Sequence, residues 1–534
     1  MGKNRKRFLT AIGLAAASVL SVFATAAFAS EETAEYSAMN PPIVQVEEGL
    51  LRGFMNEDTF SFLGIQYATA ERFEQPQPVE PWEGVKDAQV YGPACPTNDI
   101  TEVSTDEFVW PHRYYAHNED CQYLNVWTQS LDQDAKKPVM VFLHGGAFAN
   151  GAANETVAYD GKNLSEFGDV VVVTLNHRLN VLGCLDLSDY GEKYENSGNT
   201  GMADIVAALE WIQKNIEVFG GDPDNVTIFG QSGGSGKVVT LMHMPEAEGL
   251  FHKAIAESSG TASVLLPEES KLITQYTLEN LGLDESQVDE LQTMPYFDLL
   301  EAADAALERV KEEVGRNISW RPLQDDVYVM TDYCDFASDI PFIAGTNFSE
   351  RNSTVFIGDG RKNEWTEEET MANLTEMYGD NAEAIAEEFE RLFPEKKLAD
   401  AYFYAPSYRN NVRSALNDKI ASGTAPVYNY LFAYEAPVNG GVTPFHCAEL
   451  IYVFHNVELP ELTIATGGDQ TALDMQDVVA QSWVNFAYTG DPSQEGLEWI
   501  PYSEQENSTM VFDVNSQCVI LDDQTMVDLM NGEQ

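Results

Sequence analysis

One short run constrains the fold of this chain more than any other: a serine between glycines, directly after a β-branched segment. Residues 226–229 read Val-Thr-Ile-Phe, which predicts a short buried strand, and residues 230–234 read Gly-Gln-Ser-Gly-Gly, which fits the pattern G-x-S-x-G. A serine on a sharp turn from strand to helix holds strained backbone angles, and side chains two positions away on either side would collide with neighbouring backbone. The pattern therefore predicts that Ser232 is a nucleophile at the end of a strand; the alternative is an ordinary glycine-rich turn.

The segments before this turn alternate between strand and helix. Residues 138–143 and 170–175 are continuous apolar runs typical of buried strands. Apolar residues between 202 and 219 recur every three or four positions, which predicts a helix that ends at Gly220. This order indicates the α/β class, with a mostly parallel sheet covered by helices on both faces and Ser232 at a strand's carboxyl end.

From about residue 265 to 435 the chain becomes more helical and more acidic, as in the run 367–392. No linker rich in proline, glycine or serine separates this region from the rest. We therefore expect helical insertions packed over the carboxyl edge of the sheet, within one catalytic domain that spans residues 30–534.

The first 29 residues have the three parts of a secretory signal peptide. Four basic residues between positions 3 and 7 precede an apolar, alanine-rich run that ends in Ala27-Phe28-Ala29. Cleavage is expected between Ala29 and Ser30, and the alternative is an uncleaved anchor, because the run is nearly long enough to span a bilayer. The interpretation is a secreted protein without a stable membrane anchor after signal cleavage.

The charge of the chain is strongly acidic. It has 86 acidic and 30 basic residues, and loss of the four basic residues of the signal leaves 26 against 86, or −60. Such a surface repels phosphate backbones and anionic lipid, so we expect no nucleic-acid partner. The charge does not indicate which reaction the protein performs.

A serine hydroxyl needs a base to take its proton and an acid to orient that base. In α/β hydrolases these follow the serine in the order acid, then histidine. Two histidines lie well beyond the middle of the chain: His446, in a loop-like segment, and His455, after an apolar run where a packing or helix-end role is favoured. His446 is the preferred base. Glu350 follows a predicted strand at 341–347, but among 86 acidic residues position alone does not select it.

Acyl transfer also needs hydrogen-bond donors for the oxyanion. The segment Leu-His-Gly-Gly-Ala-Phe at 143–148 follows a predicted buried strand, and its small residues leave backbone N–H groups free to point at one oxygen. The predicted donors are the amides of Gly146 and Ala147, with that of Gly233 after the nucleophile. A glycine turn without this duty is the alternative.

At this point the chain resembles the type-B carboxylesterases, the α/β hydrolases that include cholinesterases and bile-salt-activated lipase. The resemblance extends over nearly the whole mature chain and rests on "GIQYATAERFEQPQPVEPW", "CPTN", "NEDCQYLNVW", "HGGAF", "NHRLNVLGCL", "GNTGMADIVAALEWIQKNIEVFGGDPDNVTIFGQSGGSG", "AGTNFSE", "FHCAELIYVF" and "FAYTGDP". It implies the α/β-hydrolase fold and a triad of Ser232, Glu350 and His446.

The resemblance implies further site residues. The oxyanion donors fall on Gly146, Ala147 and Gly233, and the family's first disulfide falls on Cys95 and Cys121. The loop between these cysteines holds aromatic candidates for the rim of a substrate gorge, for which simple loop packing is the alternative: Phe108, Trp110, Tyr114 and Tyr115. The remaining cysteines have no assigned partners: Cys184, Cys334, Cys447 and Cys518.

Several positions depart from the family pattern. Gln231 stands where the family has Glu, and Gly233 stands where it has Ala. Ala147 replaces the usual third glycine of the oxyanion loop. Arg351 and Cys447 add bulk directly after the acid and the base.

These features predict a secreted serine carboxylesterase that hydrolyses small-molecule or lipid esters through an acyl-enzyme and needs no metal or cofactor. One alternative is a binding or adhesion protein of the cholinesterase-like type with altered catalysis. Another keeps the triad and changes the bond, to an amide, thioester, carbamate or lactone.

Overall fold

A computed structural model describes residues 36–98, 107, 109–260, 262–357, 361–438 and 440–532. The proposed signal peptide and Phe108 lie outside these residues. Within them, an eleven-stranded sheet forms the centre of the molecule. Its strands, in spatial order, are Gln517–Ile520, Ser508–Phe512, Val427–Phe432, Phe342–Asn347, Lys253–Glu257, Gly221–Gln231, Lys137–Leu143, Val171–Leu175, Tyr123–Thr128, Thr59–Gln66 and Phe54–Asn56.

The seven strands from Ser508–Phe512 to Val171–Leu175 pair in parallel, and the pairs at both edges of the sheet are antiparallel. Two small sheets lie outside the central one. The first joins Ile43–Gln45, Leu50–Arg52 and Val85–Asp87, and the second joins Ala68–Thr69 and Gln77–Pro78. A mostly parallel sheet of this kind brings the carboxyl ends of neighbouring strands to one edge.

Helices cover the sheet. The α-helices are Lys162–Gly168, Asn180–Cys184, Thr200–Asn215, Gly233–Leu241, Pro267–Leu281, Tyr296–Val314, Thr354–Ile357, Glu367–Tyr378, Ala382–Leu392, Pro406–Ser422, Ala448–Val453, Thr463–Thr466, Gln470–Thr489 and Gln524–Asn531. None of the helices in the described part is both long and apolar enough to cross a bilayer. The region from 265 to 435 is largely helical and also supplies two central strands, Phe342–Asn347 and Val427–Phe432.

The central strands are buried on both faces, which explains their continuous apolar sequences. In Lys137–Leu143, Val139 and Val141 pack into one core, while Met140 and Phe142 pack into a second core on the other side of the sheet. Helix Thr200–Asn215 belongs to the first core. Gly220, at φ 75°, ends the turn that follows this helix and so allows the chain to enter the next strand.

Candidate active site

Ser232 lies between the strand Gly221–Gln231 and the helix that begins at Gly233. Its backbone has φ 57° and ψ −118°, a conformation that an L-residue rarely adopts and that costs on the order of 1–3 kcal/mol. Two backbone hydrogen bonds hold it there: Ser232 N donates to the Glu257 carbonyl at 2.8 Å, and Gly236 N donates to the Ser232 carbonyl at 3.1 Å. Ser232 is partly exposed to solvent.

The two pattern glycines of the turn have a direct steric reason. A Cβ on Gly234 would lie 1.9 Å from the carbonyl oxygen of Leu143, and one on Gly230 would lie 2.6 Å from the same oxygen. Leu143 is the last residue of the neighbouring strand. Any side chain at either glycine would therefore push the turn of Ser232 away from the strand that precedes the predicted oxyanion loop.

His446 and Glu350 form a close buried pair. His446 Nδ1 lies 2.5 Å from Glu350 Oε2, and both side chains are buried. Glu350 follows the strand Phe342–Asn347, and its other oxygen accepts a 2.9 Å hydrogen bond from Asn347 N. When Nδ1 donates its hydrogen to this carboxyl oxygen, Nε2 is the ring nitrogen that keeps a free lone pair.

Gln231 connects the nucleophile turn to this pair. Its Nε2 lies 3.3 Å from His446 Nδ1, and its Oε1 accepts a 3.0 Å hydrogen bond from the thiol of Cys447. Two departures from the family pattern, Gln231 and Cys447, are thus in direct contact. Arg351, another departure, is exposed and turns its guanidinium over the ring of Phe356 at 4.9 Å, so the Glu350–His446 contact is intact.

His455, the alternative base, lies elsewhere. Its Nε2 is 2.7 Å from Asp477 Oδ1, and its ring stacks on Phe167 with centroids 4.3 Å apart. These contacts agree with the packing role that the sequence favours for His455.

Two buried carboxyl groups behind the acid were missed by the sequence analysis. Glu449 accepts hydrogen bonds from Ser258 Oγ at 3.1 Å and from Asn347 Nδ2. Burial, with the nearby charge of Glu350, raises the pKa of Glu449 to about 8. Burial also raises the pKa of Glu257 well above its ordinary value, and Trp483 Nε1 donates to this carboxyl at 2.8 Å.

The predicted oxyanion loop follows the strand Lys137–Leu143. Gly146 has φ 80° and Ala147 has φ 56°, and the loop closes through Asn150 N donating to the Gly146 carbonyl at 2.9 Å. Among the described residues, no hydrogen bond occupies the amides of Gly146 and Ala147. Gly233 is the first residue of its helix, so its amide has no partner within the helix. All three residues are at least partly exposed, so a substrate oxygen can reach them.

The aromatic candidates have different surroundings. Trp110 is buried between Tyr159 and Phe445, at centroid distances of 5.8 and 6.4 Å, and so packs beside the residue that precedes His446. Tyr114 is 88% exposed. Tyr115 is partly buried with its ring 5.2 Å from that of His117.

The disulfide expected between Cys95 and Cys121 is absent: all six cysteines of the chain are free thiols. The two side chains are nevertheless buried neighbours in hydrogen-bond contact. Cys95 Sγ also accepts a 3.2 Å hydrogen bond from Leu179 N. Burial and the adjacent thiol raise the pKa of Cys121, which disfavours its thiolate form.

Comparison with known proteins gives matches along nearly the whole chain. The model of the Carboxylesterase family matches residues 40–527. The para-nitrobenzyl esterase of Bacillus subtilis (strain 168) is 34% identical over 492 residues, which cover 89% of this chain and 95% of that protein. The medium-chain fatty acyl-CoA hydrolase precursor of Anas platyrhynchos is 30% identical over 544 residues, which cover 91% of each.

Among solved structures, an esterase from anaerobic Clostridium hathewayi that can hydrolyse aliphatic aromatic polyesters is 39% identical with a TM-score of 0.86. The alignment covers 94% of this chain and 100% of that one. This likeness to an esterase, together with the sheet described above, confirms the α/β-hydrolase fold that the sequence predicted.

Proposed function

Because the chain belongs to the carboxylesterase family, we propose that it is an exported serine esterase that forms an acyl-enzyme on Ser232. That it is a carboxylic ester hydrolase follows from the family and its relatives. The observation that carries the finer proposal is the 2.5 Å contact between His446 Nδ1 and Glu350 Oε2, with Gln231 Nε2, from the residue before the strained Ser232, 3.3 Å from the same ring nitrogen.

In the first half of the reaction, His446 Nε2 takes the proton of Ser232 Oγ as this oxygen attacks the ester carbonyl carbon. The carbonyl oxygen becomes an oxyanion and accepts hydrogen bonds from the amides of Gly146, Ala147 and Gly233. The carbon–oxygen bond to the alcohol then breaks, and the imidazolium gives its proton to the departing alkoxide.

In the second half, His446 takes a proton from water, the hydroxide attacks the acyl-enzyme, and the imidazolium returns the proton to Ser232 Oγ as the carboxylic acid leaves. Glu350 keeps the imidazole oriented and stabilises its cation in both halves. The scheme uses protein groups and water alone.

The test is hydrolysis of p-nitrophenyl esters of increasing acyl length by the wild type and by Ser232→Ala. We expect kcat of the variant to fall on the order of 10⁴-fold or more. Ser235→Ala is the matched control, because Ser235 is a buried serine on the same helix whose hydroxyl has no partner among the described groups. Equal activity of Ser232→Ala and the wild type would contradict the proposal.

The comparisons guide the choice of further substrates. The Clostridium hathewayi esterase supports adding an aliphatic aromatic polyester to the panel, and the acyl-CoA hydrolase supports adding a medium-chain acyl thioester. A thioester would use the same triad with a thiolate as the leaving group. If the wild type hydrolysed none of these compounds while remaining folded, the binding or adhesion alternative would replace the enzymatic one.

Export is proposed from the first 29 residues alone. The full chain, expressed in a secreting host, should appear in the medium with Ser30 as its first residue. Recovery of the intact chain in the membrane fraction would indicate the anchor alternative.

A further inference from the structure

We propose that Lys237 is a positioning residue of the oxyanion hole, because its ammonium group holds the carbonyl of His144 and thereby fixes the loop that supplies the amides. This inference rests on the proposed serine-esterase function. Lys237 lies on the helix that starts at Gly233, about one turn beyond Ser232, and its side chain is fully buried. Its Nζ donates to the His144 carbonyl oxygen at 2.8 Å.

A lysine in this place needs an explanation, since burial of an ammonium group costs several kcal/mol unless it is well paired. Among the described residues, Lys237 makes no salt bridge, and its hydrogen-bond acceptor is one backbone carbonyl. That carbonyl belongs to the residue directly before Gly145 and Gly146. The cation therefore acts on the first peptide of the oxyanion loop.

The loop needs such an anchor because of its backbone. Gly146 and Ala147 are consecutive residues with positive φ, and Ala147 is not a glycine. Positive φ at a residue with a side chain is strained, so neighbouring contacts must maintain it. The Lys237 bond fixes the start of the loop at the His144 carbonyl, and the Asn150 bond to the Gly146 carbonyl closes its end.

Several groups surround the ammonium. The imidazoles of His144 and His177 stack with centroids 5.2 Å apart, and burial together with the charge of Lys237 lowers the pKa of both, so they stay neutral near pH 7. Burial lowers the pKa of Lys237 to about 7, while the acidic groups of Glu155 and Cys184 oppose this shift. The Phe148 ring lies 5.7 Å from Nζ.

The position of Lys237 predicts how kcat changes with pH. Protonated Lys237 makes a charge-assisted hydrogen bond and adds positive potential near the developing oxyanion. As the pH rises through about 7 the ammonium loses its proton, the bond weakens, and kcat should fall. Neutral His446 is required at the same time, so the profile of kcat should be bell-shaped.

The experiment compares Lys237→Met with the wild type from pH 5.5 to 10, using p-nitrophenyl butyrate. We expect kcat at pH 7 to fall by about 10 to 10²-fold, KM to change by less than about threefold, and the alkaline fall of kcat to disappear. Lys419→Met is the matched control. Lys419 is also buried, with a pKa lowered to about 8 and no hydrogen-bond partner in the described part, but it faces Asp339. It should leave kcat and the profile unchanged.

The outcomes separate the two proposals. If the wild type is inactive, the proposed function fails. If the wild type is active and Lys237→Met keeps both its kcat and an alkaline fall, the inference on Lys237 is overturned, and the fall belongs to another group such as Glu449. If Lys237→Met does not fold, the wild-type profile decides: a kcat that stays constant from pH 7 to 10 overturns the inference. Lys237→Arg, which keeps its charge above pH 7, should extend the plateau to higher pH.

Discussion

Gly233 and Ala147 are in direct contact, and this contact allows a sharp test of the oxyanion hole. A Cβ on Gly233 would lie 2.3 Å from both Cα and the carbonyl oxygen of Ala147, and 2.4 Å from its N. Ordinary contacts begin at 3.4 Å. All three atoms are backbone atoms, so a Gly233→Ala substitution cannot be relieved by rotation of a side chain. The helix and the loop must separate by about 1 Å.

Both sides of this contact supply proposed oxyanion donors. A displacement of about 1 Å at a catalytic site costs on the order of 10²-fold, and loss of one oxyanion donor costs about 10²–10³-fold. We therefore expect kcat of Gly233→Ala on a p-nitrophenyl ester to fall by about 10²-fold. KM should change far less, because the donors act mainly in the transition state.

Gly236→Ala is the control for the helix itself. A Cβ there would meet Ser263 Oγ at 3.4 Å and Phe148 Cε2 at 3.5 Å, which are ordinary contacts. Alanine is the better helix former, so this variant should keep its kcat and gain up to about 1 kcal/mol of unfolding free energy. If Gly236→Ala lost as much activity as Gly233→Ala, the cause would be the helix rather than the contact.

A double variant tests the same reasoning further. The resemblance pattern has alanine after the nucleophile and glycine in the loop, which is the reverse of this chain. Adding Ala147→Gly to Gly233→Ala should restore part of the lost kcat, because glycine lets the loop backbone move without strain. A Gly233→Ala variant that kept more than a third of the wild-type kcat would refute the argument.

Two further predictions concern buried groups. The pKa of Glu449 lies above the ordinary value of about 4.3, so the folded state keeps a proton that the unfolded chain releases, and stability is lost as the pH rises from about 4.3 toward 8. Glu449→Gln removes this loss, so the Tm of the variant minus the Tm of the wild type should be larger at pH 8.5 than at pH 5. The same Tm difference at both pH values would contradict this prediction. The thiols of Cys95 and Cys121 are in contact, so the export proposed above should bring them into an oxidising medium where they form a disulfide. Intact masses with alkylation before and after reduction would reveal the blocked pair, and full alkylation without reduction would argue against it.

The sequence predicted those parts of the fold and site that local pattern determines. Continuous apolar runs identified the central strands, while the order serine, acid, histidine left His446 and His455 as candidates and the loop-like segment around His446 favoured it. Glu350 could be selected only through the family resemblance, because the neighbouring sequence does not distinguish it from the other acidic residues among the 86. Glu449 and Lys237 were missed for a related reason: whether a charged residue is buried depends on contacts with distant segments, such as Asn347 for Glu449. The contact of Gly233 with Ala147 likewise joins residues far apart in the chain.

Backbone strain is present at the edge of the sheet where the candidate site lies. Five non-glycine residues with positive φ lie in or directly beside the site: Ala147, Ser232, Ser258, Glu350 and Cys447. Each follows a strand of the parallel sheet or belongs to the loop that carries the base. Strain of this size persists only where surrounding structure over-determines the conformation, and here the paired strands and the two cores provide that rigidity. Substitutions that relax these turns should therefore raise stability while lowering kcat, because the proposed catalytic groups would lose the positions that these backbone angles give them.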